Sequence, residues 1–140
     1  MRHLWSATIV CLLAAAVAQA DDLKDLNGAW VPSEGQLNGK KAPDDFINSI
    51  KLTITDGKYS VTVGDQMENG KFTIDTSKKP ATMDIHADEG PNKGKRILAI
   101  YELSGDTLKV CYKLGVEERP KGFTSTADNK QFVVTYKRKK

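Results

Sequence analysis

The chain has 140 residues, of which 39% are hydrophobic and 28% are charged, and its formal net charge is +3. Four positive charges belong to residues 137–140, so the rest of the chain has no excess of basic residues. This distribution argues against nucleic acid as a partner, because a nucleic-acid groove needs a basic face. It predicts a solvated basic tail that frays at the terminus.

The N-terminal segment has the features of a secretory signal peptide. Arg2 and His3 precede an apolar run over residues 9–17, and Ala18-Gln19-Ala20 places small residues at the two positions that signal peptidase reads. The run is shorter than the roughly 20 apolar residues of a membrane span. We therefore predict a signal peptide over residues 1–20 and a single exported domain over residues 21–140, periplasmic or extracellular, with no integral membrane segment after cleavage.

The predicted mature domain keeps one cysteine, Cys111, so it has no internal disulfide and depends on packing and strand pairing. A domain of roughly 120 residues buries enough apolar surface to fold as one unit, and we expect a monomer. We interpret Cys111 as a small residue that fills a sheet position. A reactive thiol or an intermolecular disulfide is the alternative.

Along this domain, apolar and polar residues alternate with a period of two, which is typical of strands with one buried face. A short helix is predicted after Pro43, over residues 44–50. Outside two hairpins, the strands are predicted over residues 29–31, 71–75, 82–86 and 131–137.

Both hairpins are predicted from turn dipeptides between alternating runs. Asp56-Gly57 and Gly105-Asp106 are turn sequences, and a two-residue turn places apolar residues opposite each other on one face. The first hairpin then pairs Ile54 with Tyr59, Leu52 with Val61, and Ile50 with Val63. The second pairs Leu103 with Leu108, Tyr101 with Val110, and Ala99 with Tyr112, with Cys111 opposite Ile100 on the other face.

About eight short antiparallel strands with one short helix after the first predict an all-β fold, either a sandwich or an up-and-down barrel. Pairing of the Trp30 strand with residues 132–136 closes a barrel and removes exposed edge strands, which the chain does not otherwise protect. We therefore predict a closed or nearly closed antiparallel barrel in which Trp30 is largely buried.

Gly28 and Trp30 resemble the Gly-x-Trp opening of lipocalin-like barrels, where the indole plugs the base of the barrel. Later motifs are Gly94-Lys95-Arg96, Ile100-Tyr101-Glu102-Leu103, residues 105–112 and Arg119-Pro120-x-x-Phe123. With this ordered set, the chain resembles an uncharacterised lipocalin-like domain family expanded in planctomycete bacteria. The resemblance covers essentially all of the mature domain and implies an exported small barrel, but it implies no activity.

Arg119 has two interpretations. Structurally, it closes one barrel end by stacking on Trp30 or by pairing with a carboxylate, and Phe123 plugs the same end. Functionally, it anchors an anionic head group at a mouth near residues 88–94. In that second interpretation Tyr101 and Tyr112 are further ligand contacts.

No catalytic or metal signature is evident. His86 is the only histidine of the predicted mature domain, and it shares a strand face with Asp84, with Asp88 and Glu89 just beyond. This spacing matches no known metal motif, and nothing in the sequence brings Cys111 to His86. We interpret these residues as a solvated strand edge and predict no metal and no cofactor.

We therefore expect a non-enzymatic module that binds a small apolar or amphipathic ligand in the barrel mouth. The alternative is an envelope-associated structural or protein-interaction domain whose interior is filled with aromatic side chains. An enzyme or a metal-binding protein ranks last. The size of the interior cavity separates the first two.

Overall fold

The computed structural model describes residues 20–140, so the predicted signal segment, except for Ala20, lies outside the described residues. Residues 20–25 are helical. The later elements are β1 (Gly28–Leu37), β2 (Lys40–Lys41), α1 (Asp44–Asn48), β3 (Ile50–Thr55), β4 (Lys58–Val63), β5 (Gln66–Asp75), β6 (Ala81–Glu89), β7 (Arg96–Ser104), β8 (Thr107–Lys113) and β9 (Gln131–Arg138). Within the described residues, no helix is long and apolar enough to cross a membrane.

Eight antiparallel strands close into a barrel. Strands β3 to β9 pair in chain order, and β1 pairs with β3 on one side and with β9 on the other, placing Trp30 opposite Leu52 and Arg138. The short β2 pairs only with the far end of β1. The predicted closed all-β barrel is confirmed.

Both predicted hairpin registers are confirmed, including Ile54 opposite Tyr59 and Tyr101 opposite Val110. Asp56 and Gly57 have φ angles of 48° and 81°, the positive values that a type I′ turn requires. Local turn chemistry therefore sets these registers, and each register places the apolar residues of the hairpin on the inner face.

The strands extend further than their apolar patterns predict. β1 continues to Leu37 past an irregularity between Pro32 and Glu34, because β9 supplies hydrogen-bonding partners along its whole length. β5 begins at Gln66 rather than residue 71, and the residue predicted to end the helix, Ile50, instead begins β3. Pairing with a neighbouring strand outweighs local propensity at these ends.

One end of the barrel, here called the base, is closed by Trp30, which is 1% exposed. Its Nε1 donates a hydrogen bond to the Leu26 carbonyl at 2.9 Å, and the Arg138 guanidinium lies 4.3 Å from the ring centroid. The cation over the indole is thus Arg138 and not Arg119. Gly28, with a φ of 140°, lets Arg138 approach, since a Cβ there would lie 3.0 Å from Arg138 Nη1.

The expectation of a frayed basic tail is wrong for these residues. Arg138 belongs to β9 and also donates from Nε to Asp106 Oδ1 at 3.0 Å. The Lys139 amide donates to the Ala29 carbonyl at 2.8 Å, and Lys140 Nζ lies 2.7 Å from Asp106 Oδ2. The tail is held because it continues the seam that closes the barrel.

The connection between β8 and β9, residues 114–130, crosses the outside of the barrel and is here called the strap. Phe123 packs there against an apolar cluster of outward-facing Ile100, Cys111 and Val133. The prediction that Phe123 plugs a barrel end is therefore wrong. Its ring covers apolar outer-face residues that strand alternation places away from the interior.

Candidate functional site

The barrel interior holds a cavity of about 100 Å³ with a largely apolar wall that includes Leu52, Phe72 and Val134. Cavities of about 150 Å³ accept a molecule the size of benzene, and pockets that enclose a drug-sized ligand measure roughly 300–1,000 Å³. The interior alone therefore admits only a compact apolar group.

A second space of about 300 Å³ lies at the end of the barrel opposite the base, here called the mouth. Val61, Glu68, Tyr112 and Tyr136 line both the interior cavity and the mouth. These four residues form a neck between the two spaces. A ligand seated in the mouth can therefore extend an apolar group past the neck into the cavity.

The rim of the mouth is apolar and exposed. Six large apolar side chains are exposed in the described part of the chain, and four of them line the mouth, namely Phe46, Val63, Met67 and Leu114. Met67 is 56% exposed. Such clustering, in contrast to single scattered apolar residues, is typical of a binding surface.

Helix α1 contributes Phe46 to the rim. Pro43 precedes the helix, Asp44 and Asp45 occupy its first turn, and Ile47 is buried beneath it. The Phe46 ring lies 6.0 Å from the Phe132 ring, which lies 5.7 Å from the Tyr112 ring. The short helix thus adds an aromatic side chain to a cluster that continues down to the neck.

Glu68 is the charged residue of the site. It lies opposite Val61 in the β4–β5 pairing, on the inner face that also carries Tyr59. Its Oε2 accepts a hydrogen bond from the Tyr59 hydroxyl at 2.9 Å, and its Oε1 accepts one from Asn92 Nδ2 at 2.8 Å. The carboxylate is therefore fixed at the neck by two neutral donors from different elements.

Burial keeps the surrounding hydroxyls protonated. The pKa of Tyr59 is raised far above its ordinary value by burial and by its hydrogen bond to Glu68. The pKa of Tyr112 is raised to about 12, first by burial and then by the nearby charge of Glu68. Tyr59 therefore acts as a donor to the Glu68 carboxylate at neutral pH.

Gly70 makes room for this arrangement. A Cβ at Gly70 would lie 2.1 Å from the His86 carbonyl oxygen and 2.8 Å from the Tyr59 hydroxyl oxygen. Any larger residue would push Tyr59 away from Glu68 or separate β5 from β6. The glycine is required by this close approach rather than by a turn.

The predicted ligand contacts do not form one site. Arg119 lies on the outer wall, where its guanidinium pairs with Asp84 and its Nη1 donates to the Ala99 carbonyl at 2.8 Å. Of its two structural alternatives, the structure thus has the carboxylate pair, while Pro120 beside it is buried. Tyr112 lines the neck, but Tyr101 is buried and lines neither the cavity nor the mouth.

The candidate chemical groups are on the outer wall. Asp84 is engaged by Arg119, and His86 is exposed. Burial raises the pKa of the Cys111 thiol to about 11, and Gln131 Nε2 lies 3.4 Å from its sulfur, so the thiol stays protonated at neutral pH. Across residues 20–140, no three His, Cys, Asp or Glu side chains converge to hold a metal ion.

The sequence pattern does not identify Glu68, because the strand predicted over residues 71–75 starts after it, whereas β5 begins at Gln66. The available signal was the alternation of β5: Phe72 and Ile74 face inward, and the same period assigns Gly70 and Glu68 to the inner face. A glutamate inside an apolar strand face is the kind of buried polar residue that marks a site.

Comparison with protein-family models, curated proteins and solved structures finds no match for this chain. The closed eight-stranded antiparallel barrel is consistent with the lipocalin-like class of folds. The resemblance to the planctomycete family stays a prediction.

Proposed function

We propose that the protein is a non-enzymatic lipocalin-like module that holds the apolar part of a small amphipathic molecule in the barrel mouth. The observation that carries this proposal is the rim of four exposed apolar side chains around an opening that leads, past the neck, to an apolar cavity. Exposed apolar surface around a concave opening is stabilised when a ligand covers it. Export, as indicated by residues 1–20, is part of the proposal.

The dimensions support a partly enclosed ligand. The mouth offers about 300 Å³ and the cavity about 100 Å³, so the ligand lies mainly between the rim side chains. Covering roughly 200 Å² of apolar ligand surface contributes about 5 kcal/mol before the cost of association is subtracted. Because 5 kcal/mol alone corresponds to a dissociation constant of about 0.2 mM, we expect weak binding, in the submillimolar to millimolar range or weaker.

The chemistry of the described residues supports a role without catalysis. Acid–base work needs paired groups near the substrate, and among the described residues Glu68 is the one acidic or basic side chain that lines the mouth or the cavity. The protonated Cys111 lies beneath the strap, and His86 is on the outer wall. Neither reaches a molecule in the mouth.

The alternative, a filled barrel that docks another protein, uses the same rim. The small interior cavity favours this alternative, because most of the interior is packed with side chains. The two functions differ in whether a free small molecule occupies the neck. The surroundings of residues 61 and 68 should therefore change when a small molecule binds, but not when another protein docks on the rim.

The test is a titration with N-phenyl-1-naphthylamine, a neutral dye that fluoresces in apolar surroundings. We expect one dye per chain, and about tenfold weaker binding to the double variant Val63→Ser/Met67→Ser, because it removes about 60 Å² of apolar contact. Val31→Ser is the matched control, since Val31 is 44% exposed but lies on β1 outside the mouth. Absence of dye binding, or an equal loss in Val31→Ser, would contradict the proposal.

A further inference from the structure

Among all the described side chains that line the interior cavity or the mouth, Glu68 is the one acidic or basic residue. The remaining lining is apolar or neutral, and the neck places the carboxylate where any molecule extending from mouth to cavity must pass it. A ligand that occupies both spaces therefore meets one negative charge. The charge of the ligand group that lies beside this carboxylate therefore determines which ligands bind.

The Glu68 carboxylate has no cationic partner among the described residues. The ion pairs of residues 20–140 join other groups, and the two hydrogen-bond partners of Glu68, Tyr59 and Asn92, are neutral. An ionised carboxylate offers about four acceptor positions, of which these bonds occupy two. A partly enclosed negative charge with free acceptor positions is stabilised by a cation that brings its own donors.

Within the described part of the chain, no basic side chain lines the mouth itself. Lys95, Arg96 and Lys113 line a neighbouring space of about 330 Å³, which shares Asn92, Tyr112 and Leu114 with the mouth. Arg96 Nε lies 3.1 Å from Glu117 Oε1, and Lys113 Nζ lies 2.9 Å from Glu118 Oε1. Two of these three cations are thus paired with carboxylates of the strap.

Aromatic side chains surround the same position. Tyr112 and Tyr136 belong to the neck, and Phe132 lies in the mouth with its ring 5.7 Å from that of Tyr112. The face of an aromatic ring carries partial negative charge and attracts organic cations. A carboxylate beside aromatic faces is the combination that recognises an alkylammonium group.

We infer that the mouth selects a compact amine: the ligand's ammonium group binds the Glu68 carboxylate at the neck, and its short alkyl or aryl part fills the cavity and the apolar rim. This inference rests on the proposed function. One interpretation of the sequence was an anionic head group bound by Arg119. The residue that faces the mouth is instead the acidic Glu68, so the inferred ligand group is cationic. The cavity volume of about 100 Å³ is below the roughly 150 Å³ that accepts benzene, so the inserted group is limited to a few carbon atoms.

The experiment compares three probes that share one chain length: n-hexylammonium, hexan-1-ol and hexanoate. Each is titrated at pH 7 into the isotopically labelled domain, and amide chemical shifts at the neck report binding. For the unaltered protein we expect hexylammonium to bind at least about tenfold more tightly than hexan-1-ol, and hexanoate to bind most weakly.

Glu68→Gln is the decisive variant, because the amide keeps the size of the side chain and removes its charge. We expect hexylammonium to lose its advantage, with the two affinities within about twofold, while hexan-1-ol binds as before. Retained binding of the alcohol also shows that the variant folds with an intact mouth.

Glu89→Gln is the matched control. Glu89 lies near the same end of the barrel and accepts a 3.4 Å hydrogen bond from Asn69, but it lines neither the cavity nor the mouth. Its loss removes one negative charge and should leave the amine preference unchanged. An equal effect of Glu89→Gln and Glu68→Gln would assign the preference to general electrostatics and overturn the inference.

Failure of the inference is distinct from failure of the proposed function. If hexan-1-ol binds but hexylammonium gains nothing, or if hexanoate binds most tightly, the mouth is a binding site and the amine assignment is wrong. If none of the three probes shifts the neck resonances, both the proposed function and the amine assignment fall.

Discussion

At the scale of single residues, burial determines what the polar side chains can do. Cys111 is fully buried beneath the strap, and its thiol is a packing group rather than a nucleophile. Glu68, by contrast, is polar, partly enclosed and aimed into the neck. The two side chains therefore differ in access, because Cys111 is covered by the chain and Glu68 lines the mouth.

Cys111 should make the protein sensitive to alkali. The unfolded thiol releases its proton near pH 9.0, but the folded thiol keeps it until about pH 11. Its contribution to stability is therefore intact below about pH 9 and is lost as the pH rises toward 11, with a slope on the order of 1 kcal/mol per pH unit.

Urea unfolding at about pH 8, 9.5 and 10.5 measures this loss against Cys111→Ser, which has no titrating group there. We expect the free energy of unfolding to fall more steeply in the unaltered protein than in the variant. Deprotonation of buried tyrosines such as Tyr112, whose pKa is raised to about 12, also lowers stability at high pH. Both proteins contain these tyrosines, so their effect cancels in the comparison. Parallel curves would show that Cys111 does not titrate as described.

At the scale of structural elements, the strap contains no helix or strand and is held to the barrel by side-chain contacts. Gln131 Nε2 donates to the Gly122 and Thr124 carbonyls at 3.0 and 2.9 Å. Arg119 attaches the strap to β6 and β7, and Phe123 packs on the outer-face cluster. The Arg-Pro-x-x-Phe motif thus attaches the strap to the outer wall of the barrel.

Arg119→Met should lower stability without weakening ligand binding. We expect a loss of about 1–2 kcal/mol, and a coupling of about 1 kcal/mol between Arg119 and Asp84 in a double-mutant cycle with Asp84→Asn. Urea unfolding gives these energies, and N-phenyl-1-naphthylamine titration of the folded variant should give an affinity within about twofold of the original. A large loss of affinity with unchanged stability would restore the ligand-anchor interpretation.

At the scale of the whole molecule, the two ends of the barrel are different. The base is closed by Trp30 and Leu26 with Arg138 across the indole, whereas the mouth is edged by exposed apolar side chains. Pairing of β1 with β9 places Trp30 opposite Arg138 at the base. The buried indole therefore lies at one end of the barrel and the exposed apolar side chains lie at the other.

Trp30→Ala should destabilise the protein by about 3–5 kcal/mol, as large aromatic truncations in cores do. The indole fills the base. Its loss also removes the hydrogen bond to the Leu26 carbonyl and the cation–π contact with Arg138. Trp30→Phe keeps a ring and should cost less, about 1–2 kcal/mol for the lost hydrogen bond and smaller volume. An unchanged urea midpoint in Trp30→Ala would show that the base does not depend on the indole.

The sequence is sufficient to predict the part of the fold that depends on neighbouring residues. The Asp56-Gly57 turn sets the pairing of Ile54 with Tyr59, and alternation assigns each apolar side chain to the inner face. Barrel closure was also predictable, because it follows from the number of strands and from the cost of leaving edges unpaired.

Contacts between groups far apart in the sequence become visible in the folded barrel. The sequence alone does not show whether Arg119 or Arg138 stacks on the Trp30 indole. Arg138 does so because the pairing of β9 with β1 places it opposite Trp30. Glu68 reaches the neck because β5 starts earlier than its apolar pattern indicates, and the strap covers the outer wall because Phe123 finds apolar partners there. These contacts join residues far apart in sequence, and their energies depend on packing that no local pattern records.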